Sequence, residues 1–226
     1  MKCGKHVRFG QVAVKDAKFR TFIADAAARR EFYKHVYDVT YGLVRPGKDT
    51  LVVLDDSIVR GNTMKNAILP MLDRLGPKKI VVASSAPPIR YPDCYGIDMS
   101  TLGELVAFRA LVNLLNKAAE KASSSFHSAD EALRAALESD DLNPLEKVYG
   151  LFTDAEHNAE IARLLTPKGL SADVEVVYQT MEDLHASCPR SSGDWYFTGN
   201  YPTPGGYRVL RTALANYLER REGRSY

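Results

Sequence analysis

Cysteine is scarce in this 226-residue chain: Cys3, Cys94 and Cys188 are its only three, they stand far apart, and none belongs to a CxxC pair. An odd, scattered set supports neither a disulfide framework nor a zinc site. The five histidines are equally dispersed and form no HExxH, so each reads as a surface or packing residue. Long hydrophobic runs are missing as well. The longest, such as residues 51–54 and 80–83, fall far short of the roughly 20 apolar residues that span a bilayer, which excludes a membrane-spanning protein. Charge of one sign is also absent: 30 Lys plus Arg against 28 Asp plus Glu leave a formal +2 with no block of either sign. No nucleic-acid partner follows from that. Residues 1–10 are basic but lack the apolar stretch of a secretory signal, so a cytoplasmic location is expected. What remains is ordinary globular material, with 45% hydrophobic residues to build a core.

Residues 19–23 alternate like a short strand, and residues 24–31, rich in Ala and Arg, suit a helix or a loop. After the break at Arg45-Pro46-Gly47, residues 50–54 (TLVVL) form a continuous β-branched run, which predicts a strand covered on both faces. Asn62 or Thr63 is placed to cap a helix bearing Met64, Ala67, Ile68, Met71, Leu72 and Leu75 on one side, ending at Gly76-Pro77, with Pro70 expected to kink it. Residues 79–84 predict the next strand, and strand, helix, strand at this spacing is a βαβ unit of a parallel sheet. Two capping boxes are predicted, Thr101 with Glu104 and Thr153 with Glu156, each opening a helix. Residues 174–178 predict a further strand. The run Ser123, Ser124, Ser125 marks the expected subdomain boundary.

The chemistry concentrates where the strand at 50–54 turns into its helix, at Asp55, Asp56, Ser57, Ile58, Val59, Arg60, Gly61, Asn62 and Thr63. Open parallel sheets bind ligands at the carboxyl ends of their strands. Main-chain amides of a tight turn make a phosphate cradle, which Gly61 would let a ligand approach closely. The hydroxyls of Ser57 and Thr63 add donors. Adjacent carboxylates suit Mg²⁺ shared with a polyhydroxylated ligand. An Asp-Asp pair alone is common on surfaces, and Gly-Asn-Thr alone is a generic turn; the whole stretch after a buried strand is a stronger signal.

This stretch resembles the phosphoribosyl-pyrophosphate signature of the amidophosphoribosyltransferases, departing only at Asn62, where threonine is usual. Residues 20–23 (RTFI), 85–98 (SAPPIRYPDCYGID) and 193–202 (GDWYFTGNYP) agree with the same family. The resemblance implies an α/β fold with a type I phosphoribosyltransferase-like parallel sheet flanked by helices and a mostly helical C-terminal part. It implies a partial phosphoribosyltransferase core at 1–122, a helical extension with one short strand at 123–226, and the absence of the family's N-terminal glutaminase domain, so that the chain resembles a C-terminal fragment. The activity implied is phosphoribosyl transfer from 5-phosphoribosyl-1-pyrophosphate to glutamine-derived ammonia, giving 5-phosphoribosylamine at the first step of purine biosynthesis. In that reading Asp55 and Asp56 are catalytic and hold Mg²⁺, and Ser57 through Thr63 bind the 5′-phosphate.

The segment at 24–41 corresponds to the family's mobile loop, although its usual ending is replaced here by His35-Val36-Tyr37-Asp38. No iron–sulfur cluster is expected, because Cys188 lacks a CxxC partner and Cys94 is one position from the usual ligand. Cys3 is not expected to act as a nucleophile. Trp195-Tyr196-Phe197 is expected to pack rather than to stack on a base. The family implies a homo-oligomer, with phosphoribosyl pyrophosphate and ammonia as small-molecule partners. The alternative is a non-catalytic module that binds phosphoribosyl pyrophosphate and regulates.

Overall fold

A computed structural model describes residues 8–15, 37–95, 99–121, 125–191 and 193–221. Two short strands, β1 (Ala13–Lys15) and β2 (Tyr37–Val39), pair antiparallel with Val14 opposite Asp38. The predicted strand at 19–23 lies outside the described residues, as does most of the predicted loop at 24–41, of which β2 is the described end. A second sheet has the order β3 (Thr50–Asp55), β4 (Lys79–Ser84), β5 (Asp173–Tyr178), with β4 central. Its strands are parallel. Their starts are joined by Lys78 N–H to Asp49 O (2.9 Å) and Asp173 N–H to Lys78 O (3.3 Å). Their ends are joined by Ser85 N–H to Asp55 O (2.9 Å) and Gln179 N–H to Ser84 O (3.1 Å). The expected α/β architecture is therefore present.

By contact the chain divides into two compact units of interleaved segments. One comprises Met1–Leu51, Asn62–Ile80 and Thr166–Asp173; the other comprises Val52–Gly61, Val81–Leu165 and Val174–Tyr226. The expected division at 122/123 is not where the units part, because helices on both sides of it share one core. Ser123 and Ser124 themselves lie outside the described residues.

In the first unit the chain after Gly61 is helical. Residues Met64–Ile68 take a π-helical turn closed by Leu69 N–H to Met64 O, and α1 (Leu69–Asp73) follows. The kink expected at Pro70 takes this form. A proline has no N–H to give and its ring crowds the carbonyl four residues back, and here Pro70 sits in the first turn of α1, where a missing donor costs little. Thr63, one of the two expected caps, makes no side-chain cap bond, because it is already in helical conformation. Leu69, Met71, Leu72 and Leu75 are buried, and the unit is pinned by Asp73 accepting the amides of Ser171 and Ala172. Buried Asp49 accepts from Arg45, through main-chain N–H and guanidinium, and from Arg8. The Arg45 hydrogen bonds hold its carboxyl well below the ordinary range.

The second unit holds the larger core. Its helices are α2 (Val106–Ala119), α3 (Ala129–Glu138), α4 (Glu146–Tyr149), α5 (Asp154–Leu165), α6 (Met181–Ser187), α7 (Trp195–Thr198) and α8 (Pro204–Leu218). Phe108, Leu111 and Leu115 of α2 join Leu133 of α3 and Leu210 and Leu214 of α8 in one apolar cluster. Each contributes about 1.5–3 kcal/mol by leaving water. Helix α2 also packs on α5, where Glu160 is buried yet bonded to Asn113, Lys117 and Arg163. Burial raises this carboxyl's pKa, but the Arg163, Lys117 and Asn113 bonds outweigh it and bring it to about 2.

Two local expectations need correction. Thr153 and Glu156 do form a reciprocal capping box, at 2.8 and 3.3 Å. Thr101 and Glu104 do not: Thr101 precedes a 3₁₀ turn (Leu102–Glu104) without a side-chain cap bond, and Glu104 is bound to Arg60. The strand predicted to be covered on both faces is only half-covered on one, where Leu51 and Val53 are partly buried, and open on the other. Val52 is 68% exposed and Leu54 75%, because the described helices leave that face of β3 open.

Candidate functional site

Strand β3 delivers Asp55 as its last residue and Asp56 as the first beyond it. Both stand at the carboxyl edge of the parallel sheet. Ser85, just past the end of β4, fastens this corner by donating its N–H to the Asp55 carbonyl and its hydroxyl to the Asp56 carbonyl at 3.2 Å. Each carboxylate accepts the next residue's amide: Asp56 N–H to Asp55 Oδ1 at 3.1 Å, and Ser57 N–H to Asp56 Oδ1 at 2.8 Å. The pair is thereby held beside the main chain. Burial pushes the Asp55 carboxyl up, the Asp56 amide draws it down, and the Asp56 charge pushes it up again. A strained like-charge pair of this kind gains from a nearby cation.

Beyond the pair, the turn is tied to the protein through its carbonyls. Val59 O accepts the amide of Val106 at 2.8 Å, one of the N–H groups at the start of α2 that have no partner within the helix. Arg60 O accepts Arg109 Nη2 at 2.6 Å. Across a planar trans peptide the C=O and the following N–H point in opposite directions, so the amides of Arg60 and Gly61 face away from α2. Among the described residues, no protein group accepts from the amides of Ile58, Val59 or Gly61. A turn with its carbonyls tied inward and its amides left over is an anion-binding arrangement.

The individual residues divide by role. The Ile58 side chain is buried, so only its main chain can meet a ligand. Val59 packs on the core cluster. Arg60 gives Nε and Nη2 to Glu104 Oε2 at 3.0 and 2.7 Å. Gly61 also answers a structural demand. Its φ is +75°, and a Cβ there would lie 2.2 Å from Leu165 Cδ2 and 3.8 Å from Val106 Cγ2. Backbone conformation and α5 thus require glycine here. Asp55 through Gly61 lie together in the second unit, whereas Asn62 and Thr63 open the helical stretch of the first, both exposed. Sequence reasoning missed Glu104, Val106 and Arg109. Arg109 alone left a trace, as a cation within the apolar pattern of α2; burial pushes its pKa down, and its Nε is buried without a partner.

The other two motif segments meet each other. The amides of Arg90 and Tyr91 both donate to Tyr196 O, at 2.9 and 3.1 Å. Tyr196 Oη donates to Asp93 Oδ1 at 2.7 Å, and Tyr201 Oη to Pro92 O at 2.6 Å. Trp195 sits edge-on to Tyr95 with ring centroids 5.6 Å apart. Gly199, at φ +74°, lies where a Cβ would be 2.3 Å from Asn143 Nδ2 and 2.7 Å from Tyr91. Trp195-Tyr196-Phe197 therefore packs, as expected. Among the described residues no group of three or more His, Cys, Asp or Glu could hold a metal ion, and no helix is long and apolar enough to cross a membrane.

Fold and site together define an α/β protein with an acidic pair and an amide-presenting turn at the carboxyl edge of a parallel sheet. Comparison with known proteins gives that class particular relatives, the amidophosphoribosyltransferases. The chain is 56% identical over 62 residues to the amidophosphoribosyltransferase of Pasteurella multocida, which is 27% of this chain and 12% of that protein. It is 40% identical over 102 residues to the one from Pseudomonas aeruginosa, 45% of this chain and 20% of that protein. A solved structure of glutamine phosphoribosylpyrophosphate amidotransferase from B. subtilis, complexed with ADP and GMP, aligns over 85% of this chain and 32% of its own, with 27% identity and a TM-score of 0.46. No protein-family model matches the chain. The chain thus spans 12% to 20% of the length of these curated relatives, and the resemblance read from its motifs holds over that part.

Proposed function

We propose that this chain is the phosphoribosyl-transferring part of an amidophosphoribosyltransferase: it binds 5-phosphoribosyl-1-pyrophosphate at the Asp55–Gly61 turn and presents carbon 1 of the ribose to ammonia, the opening step of purine biosynthesis. The observation that carries this reading is the turn itself, with its carboxylates at the strand end and its carbonyls, rather than its amides, given to α2. The curated relatives bear that activity in their names.

Asp55 and Asp56 fit Mg²⁺. Mg²⁺ is commonly held by one or two carboxylates plus substrate oxygens rather than by an all-protein cage. Each carboxylate here uses Oδ1 for a main-chain amide, and Asp55 is raised by burial and by its neighbour's charge, a cost that a cation relieves. When bound, the ion supplies charge neutralisation for the departing pyrophosphate. The protein's own contribution is placement. The two carboxylates accept from the ribose hydroxyls and offset the positive charge that develops at the sugar carbon. The turn amides donate to the 5′-phosphate, with the Ser57 hydroxyl as a further donor. Ammonia is already a nucleophile, so no side-chain base is needed before attack. The balance is simple: the bond from carbon 1 to pyrophosphate breaks, one to nitrogen forms, and a proton leaves the nitrogen.

The test combines the protein with phosphoribosyl pyrophosphate, Mg²⁺ and ammonium and follows pyrophosphate release beside binding by calorimetry. Release that depends on ammonium supports transfer. Binding without release would replace it by the regulatory module, and neither binding nor release would refute both.

A further inference from the structure

A second feature of the carboxyl edge is independent of the phosphoribosyl reading. Between the segment that follows β4 and the end of β5 lies a cavity of about 120 Å³, whose walls include Pro88, Arg90, Asp154, Asn158, Tyr178 and Phe197. Arg90 is its cation. The guanidinium stacks on the Tyr149 ring, 5.2 Å from the centroid, and gives Nη2 to Asp154 Oδ1 at 2.7 Å. Asp154 is a rim residue: its side chain is 84% exposed, against 23% for Arg90. An exposed carboxylate therefore rests on a half-buried cation at the mouth of a cavity, in the place where a ligand carboxylate would bind.

Tyr178 supplies a second observation. It is nine-tenths buried, and its hydroxyl has no hydrogen-bond partner. Buried polar groups are nearly always paired; this hydroxyl lies closed off behind the cavity wall, so a polar ligand meets it by displacing the side chains that cover it. Burial pushes the phenol's pKa up, which keeps it an O–H donor.

Size and charge narrow the class. Pockets for drug-sized ligands run from about 300 to 1,000 Å³, so this one is too small for a nucleotide. One cation already facing one carboxylate suits a monoanion better than a phosphate dianion, and Pro88 and Phe197 offer an apolar wall to a short hydrocarbon body. We propose that the cavity is a binding site for a small monocarboxylate, held by the Arg90 guanidinium with the Tyr178 hydroxyl as second donor, and that Asp154 occupies the guanidinium until the ligand displaces it.

Ligand-observed NMR titrations of the full chain at pH 7 test this with propionate, with propionamide as the uncharged shape control, and with inorganic phosphate. Propionate should bind and propionamide should not. Arg90→Gln should weaken propionate at least tenfold, and Tyr178→Phe about threefold. Asp154→Asn, an exposed change that leaves the core alone, should tighten propionate several-fold by freeing the guanidinium. Propionate binding that is absent, or indifferent to Asp154→Asn, would overturn the proposal, as would phosphate binding more tightly than propionate in a manner dependent on Arg90.

Discussion

Two regions of the second unit carry motif-like runs of sequence, yet the structure treats them oppositely. Around Tyr91, Tyr196 and Tyr201 the polar groups turn to one another: hydroxyls to Asp93 and Pro92, amides to Tyr196, with Gly199 wedged against Asn143 and Tyr91. At Asp55 to Gly61 the carbonyls of Asp55, Val59 and Arg60 are used, the amides of Ile58, Val59 and Gly61 are not among the described residues, and two carboxylates stand side by side. A motif can persist because it packs or because it binds, and the difference lies in whether its hydrogen-bonding capacity is spent inside the protein. By that measure the aromatic segments are scaffold and the acidic turn is the candidate site.

Substitutions can break that contrast at several strengths. The largest effect is expected from Gly61→Val. Positive φ strain of about 1–3 kcal/mol adds to overpacking of a similar size against Leu165, so chemical denaturation should reveal a fold near collapse, not an intact protein with a blocked site. Next comes Asp55→Asn, which should lower affinity or turnover for phosphoribosyl pyrophosphate on the order of a hundredfold while the denaturation midpoint holds. A change in the midpoint with unaltered affinity would move Asp55 to the scaffold side. Tyr201→Phe should do the reverse. It strands the Pro92 carbonyl and should cost about 1–3 kcal/mol in urea unfolding, with ligand affinity intact.

Smaller effects are read through pH. Glu160 is held at about 2 in the fold against an ordinary 4.5. A depressed carboxyl stabilises above its unfolded pKa, and that stability is lost as pH falls through the folded value. Denaturation midpoints should therefore drop as pH goes from about 4.5 towards 2, and Glu160→Gln should flatten that part of the profile. Asp55 is shifted the other way. Its ionised form, which cation binding needs, should be lost at a higher pH than an ordinary aspartate's, and Asp56→Asn should move the midpoint of Mg²⁺ binding down by removing the neighbouring charge.

The βαβ unit was legible because its signals are local: β-branched runs at 50–54 and 79–84, a helical period between them, and Gly76 to end it. The acidic turn was legible for the same reason, being contiguous in sequence. What escaped depends on partners distant in the chain. Thr101 with Glu104 and Thr153 with Glu156 are the same four-residue pattern, but only the second caps, since Arg60 takes Glu104 from 44 positions away. The demand that Leu165 makes on Gly61 was hidden, since the two lie 104 positions apart in sequence. The exposure of Val52 and Leu54 was hidden too, because a strand half-covered on one face and one buried on both can carry the same apolar run. Arg109 showed only as a cation in an apolar pattern, which did not name the Arg60 carbonyl as its partner.

The most direct measurement is a calorimetric titration of phosphoribosyl pyrophosphate into the chain, with and without Mg²⁺, on the native sequence and on Asp55→Asn. Binding that requires Mg²⁺ and disappears with the carboxylate is what the account predicts. Binding of equal strength in the Asp55→Asn protein, or none by the native chain at saturating Mg²⁺, would contradict it.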